Sequence, residues 1–255
     1  MTGEAAAQWA VSRRIPVGAT AVRYRAAGEG PPVVLVHGLG VSADYWTRNG
    51  PELGGAGLRA LALDLPGFGR TPAGGRAAES PAAQARVLVE WADALAVGPA
   101  VYVGHSISCQ TVLELAASEP ERVRGLILAG PTGAGRPWHR VRQLPRIMID
   151  AFREPLPLIT TVALAYLRAG PRRVGRTWLN SARHDPLPLV SKITAPSIVI
   201  VGTRDPIVDR EFTHALADAL PGGRWVGVEG GSHAVQFSRP REFNRLVEEF
   251  VREVS

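Results

Sequence analysis

Short runs of consecutive apolar residues alternate along this chain with longer stretches in which apolar residues recur every three to four positions. The first pattern is typical of strands buried on both faces, and the second of amphipathic helices. Buried strands are predicted at 31–36, 58–64, 100–103, 122–130, 196–202 and 224–230, and helices at 80–97, 106–118, 209–220 and 239–254. Residues 9–28 are predicted to form two antiparallel strands joined by a turn near Gly18. This alternation predicts an α/β fold with a mostly parallel sheet and helices on both faces.

One segment, residues 133–189, breaks the alternation. It contains no clear buried strand, and its helical stretches at 141–152 and 158–170 are interrupted by prolines. Such a segment is too long and too apolar for a loop of a compact domain. We therefore expect a helical subdomain, or lid, inserted at 133–189 into a core made of residues 1–132 and 190–255. The chain of 255 residues is long enough for one such domain.

A serine stands at the corner between a predicted strand and the helix that follows it. Ser106 lies in the sequence GHSIS, with Gly104 two residues before it and Ser108 two residues after. In a tight turn of this kind the side chain projects beyond the carboxyl end of the sheet, close to the free N–H groups of the helix N-terminus. The sequence matches the nucleophile-elbow pattern except at its fifth position, where any small residue is expected to suffice. By itself, the motif also allows Ser106 to be an N-cap.

Two later residues could activate that serine. A hydroxyl becomes a good nucleophile only when a base accepts its proton and a third group orients the base. Asp205 and His233 each follow a later predicted strand, in the order nucleophile, acid, histidine. Asp209 is the rival acid but fits an N-cap better, and Asp64 fits a structural loop. We therefore predict a catalytic Ser106–His233–Asp205 triad.

A developing oxyanion would need hydrogen-bond donors near Ser106. One expected donor is the backbone N–H of Ile107, directly after the nucleophile. The other is the N–H of Leu39 in the HGLG loop after strand 31–36. In this interpretation the His37 side chain holds the loop in place and takes no part in the chemistry.

Six motifs, in this order, resemble those of the α/β-hydrolase superfamily: VVLVHGLG, LDLPGFGRT, VGHSIS, LILAGPTG, VGTRDPIV and GGSHAV. They are most similar to its lid-bearing branch of small esterases, lactonases, cofactor-free haloperoxidases and meta-cleavage C–C hydrolases. The resemblance implies an eight-stranded sheet with a helical lid after the sixth strand. Serine at the elbow argues against epoxide hydrolases and haloalkane dehalogenases. The segment HGLGVSADYW lacks the second Gly-Pro element that is usual in C–C hydrolases.

These features predict a cofactor-independent serine hydrolase of a carboxylic ester or lactone, acting through an acyl-enzyme. A C–C bond hydrolase or a thioesterase is the alternative within the same chemistry. A cyclase, a lyase or a ligand-binding receptor on the same fold is the alternative from another class. A dinucleotide site at the G-x-G-x-x-A stretch 38–43 is disfavoured, because the stretch follows the third strand and no helix is predicted directly after it. The histidine spacing indicates no metal site.

Aromatic residues near the predicted site suggest an apolar substrate pocket. The pocket candidates are Tyr45, Trp46, His105, Trp138 and Trp178, with Phe152 and Tyr166 as further aromatic residues of the insertion. In the same insertion, His184 and Asp185 are expected to serve at a helix end or turn, since Pro186 follows them directly.

Positive charge is concentrated in the predicted insertion. Residues 133–189 hold ten arginines and three acidic residues, whereas the whole chain has a net charge of +6. An anionic substrate or an acidic partner such as an acyl carrier protein would fit this surplus, and a solvated arginine-rich surface is the alternative. Nucleic-acid binding is not indicated, because no basic run is interleaved with aromatic residues. With one cysteine, Cys109, and neither a signal peptide nor a membrane span recognisable, a cytoplasmic location is expected.

Overall fold

The computed structural model describes residues 2–73, 79–133, 146 and 156–255. Its centre is one eight-stranded sheet with the strand order β1-β2-β4-β3-β5-β6-β7-β8. The strands are β1 (Arg13–Val17), β2 (Thr20–Ala27), β3 (Pro32–Val36), β4 (Arg59–Leu63), β5 (Ala100–His105), β6 (Val123–Ala129), β7 (Ser197–Gly202) and β8 (Arg224–Val228). Strand β2 pairs antiparallel with β1 and β4, and all other pairs are parallel. The predicted α/β fold with a mostly parallel sheet is therefore confirmed.

Helices cover both faces of the sheet. They are α1 (Thr2–Ala10), α2 (Gly50–Gly55), α3 (Pro81–Ala94), α4 (Ser108–Ser118), α5 (Leu156–Ala169), α6 (Pro171–Arg183), α7 (Leu187–Val190), α8 (Arg210–Ala219), α9 (Val235–Ser238) and α10 (Pro240–Val254). Successive side chains of one strand point to opposite faces of the sheet. Val34 and Val36 of β3 pack with α3, α4 and α8, while Val33 and Leu35 pack with α1, α2 and α10. This two-sided burial explains why the central strands are continuous apolar runs.

The N-terminal region differs from the sequence-based expectation. Trp9 and Ala10 were expected to begin a strand, but they end helix α1. A helix was also not expected soon after the HGLG loop, yet a 3-10 turn at Ala43–Trp46 and then helix α2 follow it. A Cβ atom on Gly50 would lie 2.2 Å from the Trp9 ring. Close packing against α1 therefore favours helix in a glycine-rich stretch of low helix propensity.

A buried ionic network holds the loops at the carboxyl end of the sheet. The fully buried Arg23 of β2 donates to Asp64 at 3.0 Å and to Asp44 at 2.6 Å. Asp64 also accepts hydrogen bonds from the backbone N–H groups of Ala43 and Arg70, at 2.7 and 2.8 Å. Charges this deeply buried require such complete pairing. The expectation that Asp64 belongs to a structural loop is confirmed.

Three helices, α5, α6 and α7, lie in the described part of the chain between β6 and β7. The predicted helical stretch 158–170 corresponds to α5, and the stretch 141–152 lies outside the described residues. Gln110 of α4 connects both ends of this insertion, because its Nε2 donates to the carbonyl of Thr132 at 2.9 Å and its Oε1 accepts from the Ser181 hydroxyl at 3.0 Å. The insertion is therefore attached to the helix that follows Ser106.

A second polar contact joins the insertion to α4. His184, just after α6, lies 2.7 Å from a carboxylate oxygen of Glu114. The Asp185 side chain accepts a hydrogen bond from the N–H of Leu187 at 3.1 Å, within the turn that leads into α7. The expected helix-end and turn roles of His184 and Asp185 are therefore confirmed.

Within the described residues, no helix has both the length and the apolar character needed to cross a bilayer.

Candidate active site

Ser106 occupies a strained corner between β5 and α4. Its φ angle is +57°, a left-handed conformation that costs a residue with a side chain about 1–2 kcal/mol. The N-cap position of α4 is Ile107, and no side chain caps the helix there. The alternative that Ser106 serves as an N-cap is therefore wrong. A Cβ atom on Gly104 would lie 2.7 Å from the carbonyl oxygen of Ser108, so strand and helix pass too close for a larger residue at 104.

Ser106, His233 and Asp205 form a continuous chain of hydrogen bonds. The Ser106 hydroxyl oxygen lies 2.9 Å from His233 Nε2, and His233 Nδ1 lies 2.7 Å from Asp205 Oδ2. The three residues follow β5, β8 and β7, whose carboxyl ends meet at one edge of the sheet. His233 and Asp205 are buried, while Ser106 is half-buried. The arrangement that the sequence predicted is therefore present in the structure.

The surroundings of Asp205 fix which imidazole nitrogen carries the proton. Asp205 Oδ1 accepts hydrogen bonds from the N–H groups of Ile207 and Val208, at 2.7 and 3.2 Å, which leaves Oδ2 for His233. Burial alone would raise the pKa of Asp205, but the charge of His233 and these hydrogen bonds outweigh it and hold the pKa below its usual value. An ionised Asp205 accepts the Nδ1–H of His233, so Nε2 remains free to accept the Ser106 proton.

Gly130, directly after β6, makes room for this pair. A Cβ atom there would lie 3.2 Å from His233 Nδ1 and 3.5 Å from Asp205 Oδ2, and its φ angle of +54° is one that glycine adopts without strain. This role of Gly130 was not predicted from the sequence. A glycine at the carboxyl end of the strand beside β5 was the available signal.

Two rivals to the triad residues have other roles. Asp209 caps α8, accepting a hydrogen bond from the N–H of Phe212 at 3.2 Å, as expected. The thiol of Cys109 is buried and donates to the carbonyl of Gly104 at 3.2 Å. Because burial raises the pKa of Cys109, the reactive thiolate is not available at this elbow.

The HGLG loop lies against the elbow. Leu39 and Ile107, whose N–H groups are the predicted oxyanion donors, both line the cavity in front of Ser106. His37 Nδ1 donates to the carbonyl of Gly38 at 2.8 Å, and its Nε2 accepts from the N–H of Leu65 at 3.1 Å. The predicted loop-holding role of His37 is therefore confirmed. The loop leads into the 3-10 turn, so stretch 38–43 does not open an α-helix as a dinucleotide fingerprint requires.

His105 contacts both the cavity and the loop that carries His233. It lines the cavity, as predicted, and its Nε2 donates to the backbone carbonyl of His233 at 3.1 Å. Burial, followed by the nearby charge of His233, lowers the pKa of His105 to about 3. The ring therefore stays neutral and supports the loop that carries His233.

We expect acidification to destabilise the fold through its buried neutral histidines. Burial lowers the pKa of both His37 and His105, and that of His105 falls to about 3, so below pH 6.5 the unfolded chain binds protons that the folded chain does not. Stability should thus fall as the pH falls, by about 2 kcal/mol from pH 7 to pH 5 for His105, and His37 should add a loss in the same direction. Urea unfolding at the two pH values measures this difference, and a His105→Asn variant should show a smaller one. Equal pH dependence in both proteins would contradict the assignment.

A mainly apolar cavity of about 300 Å³ opens in front of Ser106. Of the predicted pocket residues, Tyr45, His105 and Trp178 line it, and so does Tyr166. Trp46 was a wrong prediction, because it is fully buried in the core and packs against Phe243. Trp138 and Phe152 lie outside the described residues. One face of α5, which was not predicted to line the pocket, contributes four further apolar residues: Leu158, Ile159, Val162 and Ala163.

Metal-ligating side chains are not clustered in the part of the chain that the structure describes. No group of three or more histidine, cysteine, aspartate or glutamate residues there could hold a metal ion. The polar side chains that hydrogen-bond in series with Ser106 are one histidine, His233, and one carboxylate, Asp205, an arrangement suited to proton transfer.

Comparisons with known proteins identify the family and the fold. Residues 33–246 match the family described as the alpha/beta hydrolase family. A 2-hydroxy-6-oxo-6-phenylhexa-2,4-dienoate hydrolase of Comamonas testosteroni is 27% identical, over 91% of this chain and 91% of its own. A pimeloyl-[acyl-carrier protein] methyl ester esterase of Aromatoleum aromaticum is 29% identical, over 87% of this chain and 98% of its own. The crystal structure of a bromoperoxidase from Bacillus anthracis superposes with a TM-score of 0.84 at 18% identity, covering 95% of this chain and 100% of that one, which shows a common fold.

Proposed function

The chain belongs to the α/β-hydrolase family and is a hydrolase, and we propose that it cleaves a carboxylic ester or lactone of a small, mainly apolar molecule through an acyl-enzyme. The observation that carries this proposal is the hydrogen-bond chain from Ser106 through His233 to Asp205, opening onto the apolar cavity. The proposed chemistry follows from the positions of the protons along these two hydrogen bonds.

In the first half-reaction, the Ser106 oxygen attacks the carbonyl carbon while its proton passes to His233 Nε2. Asp205 stabilises the imidazolium that forms. The carbonyl oxygen becomes an oxyanion, which accepts hydrogen bonds from the N–H groups of Leu39 and Ile107. The tetrahedral intermediate then collapses: His233 gives its proton to the leaving oxygen, and an acyl-enzyme and an alcohol are formed.

In the second half-reaction, water takes the place of the alcohol. His233 accepts a proton from the water, whose oxygen attacks the acyl carbon, and a second tetrahedral intermediate releases the acid and restores Ser106. In a lactone, alcohol and acid belong to one molecule, so the product is a hydroxy acid. Neither half-reaction requires a cofactor, because the side chains and backbone N–H groups supply the nucleophile, the base and the oxyanion donors.

Helices α5 and α6 serve in this proposal as a lid over the site. Apolar side chains of α5 form one wall of the cavity, and Trp178 of α6 adds to it. A volume of about 300 Å³ is at the lower end of the range for small-molecule sites, which favours a compact acyl or ring group.

The charge of the cavity favours a neutral substrate. Among its described lining residues there is no arginine or lysine that could pair with a carboxylate. The dienoate in the name of the Comamonas relative's substrate is a carboxylate. This difference weighs against the C–C hydrolase alternative and against an anionic group inside the cavity.

A carrier-linked ester or thioester is the second candidate, and the lid surface favours it. Arg168, Arg172, Arg176 and Arg183 of α5 and α6 are exposed. Such a surface could bind an acidic acyl carrier protein while the acyl chain enters the cavity. The relative from Aromatoleum is named as an esterase of a carrier-linked ester. Arg176 also pairs with Glu79 at 2.9 Å, so part of this charge is already compensated.

A substrate series tests the proposal. We expect p-nitrophenyl esters and lactones with short to medium apolar acyl groups to be hydrolysed, with kcat/KM at least about 10-fold above that of analogues ending in a carboxylate, because burying an unpaired charge is costly. Steady-state kinetics at 50 and 300 mM salt measures the ratio. Equal kcat/KM values for neutral and carboxylated analogues would contradict the neutral-substrate assignment. A carrier-linked ester whose kcat/KM falls with salt, while that of the free ester does not, would favour the second candidate.

A further inference from the structure

Ser108 makes a contact that the elbow pattern does not require. It stands at the fifth position, where the pattern has glycine, and the sequence predicts only that a small residue is needed there. The residue is almost completely buried, with 1% of its surface exposed. Its hydroxyl donates a hydrogen bond to the backbone carbonyl of His37. Glycine could fill the space but could not form this bond.

The bond joins the two backbone segments that carry the proposed oxyanion donors. Ser108 directly follows Ile107, the first donor, at the start of α4. The His37 carbonyl directly follows β3 and is separated by Gly38 from Leu39, the second donor. The hydrogen bonds of the His37 ring reach Gly38 and Leu65, neither of which lies in the elbow. Ser108 therefore supplies a direct link between loop and elbow.

We propose that Ser108 is a positioning residue that sets the separation between the N–H groups of Ile107 and Leu39. This inference rests on the proposed function, since it assigns those groups to an oxyanion. Donors stabilise an oxyanion well only within about 2.7–3.1 Å of its position. A small displacement of the HGLG loop would weaken one donor without affecting proton transfer between Ser106 and His233. The expected consequence is a lower kcat with little change in KM.

Another buried hydroxyl on the same helix provides a matched control. Thr111 lies three residues after Ser108 on α4 and is fully buried. Its hydroxyl donates to the side chain of Gln84 at 2.7 Å and makes no hydrogen bond to the HGLG loop in the described structure. Replacing Thr111 by valine removes a buried hydrogen bond of similar kind but leaves the Ser108–His37 bond in place. The comparison therefore separates loss of positioning from general loss of stability.

The experiment compares wild type with Ser108→Ala, Ser108→Gly and Thr111→Val, with Ser106→Ala as the reference for lost activity. We expect both Ser108 variants to lose about 10- to 100-fold in kcat, which is below the effect of removing a whole oxyanion donor, with KM changed by less than about 2-fold. Affinity for a trifluoromethyl ketone, which adds to Ser106 as a tetrahedral oxyanion, should fall by the same factor as kcat/KM. The Thr111→Val variant should keep kcat within about 2-fold.

Amide hydrogen exchange provides a readout that does not depend on activity. Exchange in the peptide covering residues 37–41 should become faster in both Ser108 variants and stay at the wild-type rate in Thr111→Val. Unchanged exchange, or unchanged kcat and ketone affinity in folded Ser108 variants, would overturn the inference. If wild type hydrolyses no ester, or Ser106→Ala remains active, the proposed function fails instead, while exchange still decides whether Ser108 holds the loop.

Discussion

Replacing Ser106 by alanine should lower kcat for ester hydrolysis by about 10⁶-fold, the loss that removal of the nucleophile causes in serine hydrolases. The variant cannot form the acyl-enzyme, because the oxygen that lies 2.9 Å from His233 Nε2 is gone. Steady-state kinetics measures the loss, and mass spectrometry of the protein after mixing with a slowly deacylating ester should detect the acyl adduct only in wild type.

Ser118→Ala is a suitable control for this substitution. Ser118 ends the same helix α4, and its hydroxyl bonds only to carbonyl groups of that helix, so activity should be retained. An active Ser106→Ala enzyme would show that the chemistry does not pass through this hydroxyl. Retained ligand binding or cyclisation without ester hydrolysis would favour the receptor, cyclase or lyase alternatives.

Replacing Asp205 by asparagine should lower kcat by about 10⁴-fold although the side chain has the same shape. The two backbone N–H groups of Ile207 and Val208 would select the amide oxygen of the new side chain. The amide NH₂ would then point at His233 Nδ1 and force the proton onto Nε2. In that tautomer His233 cannot accept the Ser106 proton. Kinetics at neutral pH measures the effect.

Asp209→Asn is the matched control for the second prediction. Asp209 is four residues further along, and asparagine caps a helix as well as aspartate does, so both stability and kcat should stay close to wild type. If Asp205→Asn retained wild-type activity, the orienting role of this carboxylate would be wrong, and another acid would have to be sought.

Much of the fold could be predicted from the sequence because its central strands are buried on both faces. Their continuous apolar runs identify β3 to β7 without knowledge of their neighbours. Helices α1 and α2 could not be predicted in this way. Trp9 packs against Gly50, and this contact between segments forty residues apart decides the conformation of a stretch whose local propensity favours a loop.

The three side chains of the proposed triad could be predicted because chain order and strand ends identify them one at a time. The cavity was not, since its lining depends on which face of α5 turns toward Ser106 and on the exact depth of each aromatic side chain. Trp46 shows why the lining could not be predicted from the sequence. Its neighbour Tyr45 lines the cavity, whereas Trp46 itself belongs to the core. Gln110 contributes through contacts with Thr132 and Ser181, which no single-sequence pattern records, whereas Gly130 had a signal in its place at the end of β6.

The attachment of both ends of the insertion to one side chain has an evolutionary consequence. Gln110 contacts Thr132 before the inserted helices and Ser181 near their end, so the anchoring points are fixed independently of the chain between them. We therefore expect substitutions in α5 to alter the cavity wall while Ser106 and its partners keep their geometry. New specificities can then arise by exchange of a module, with the reaction chemistry inherited unchanged.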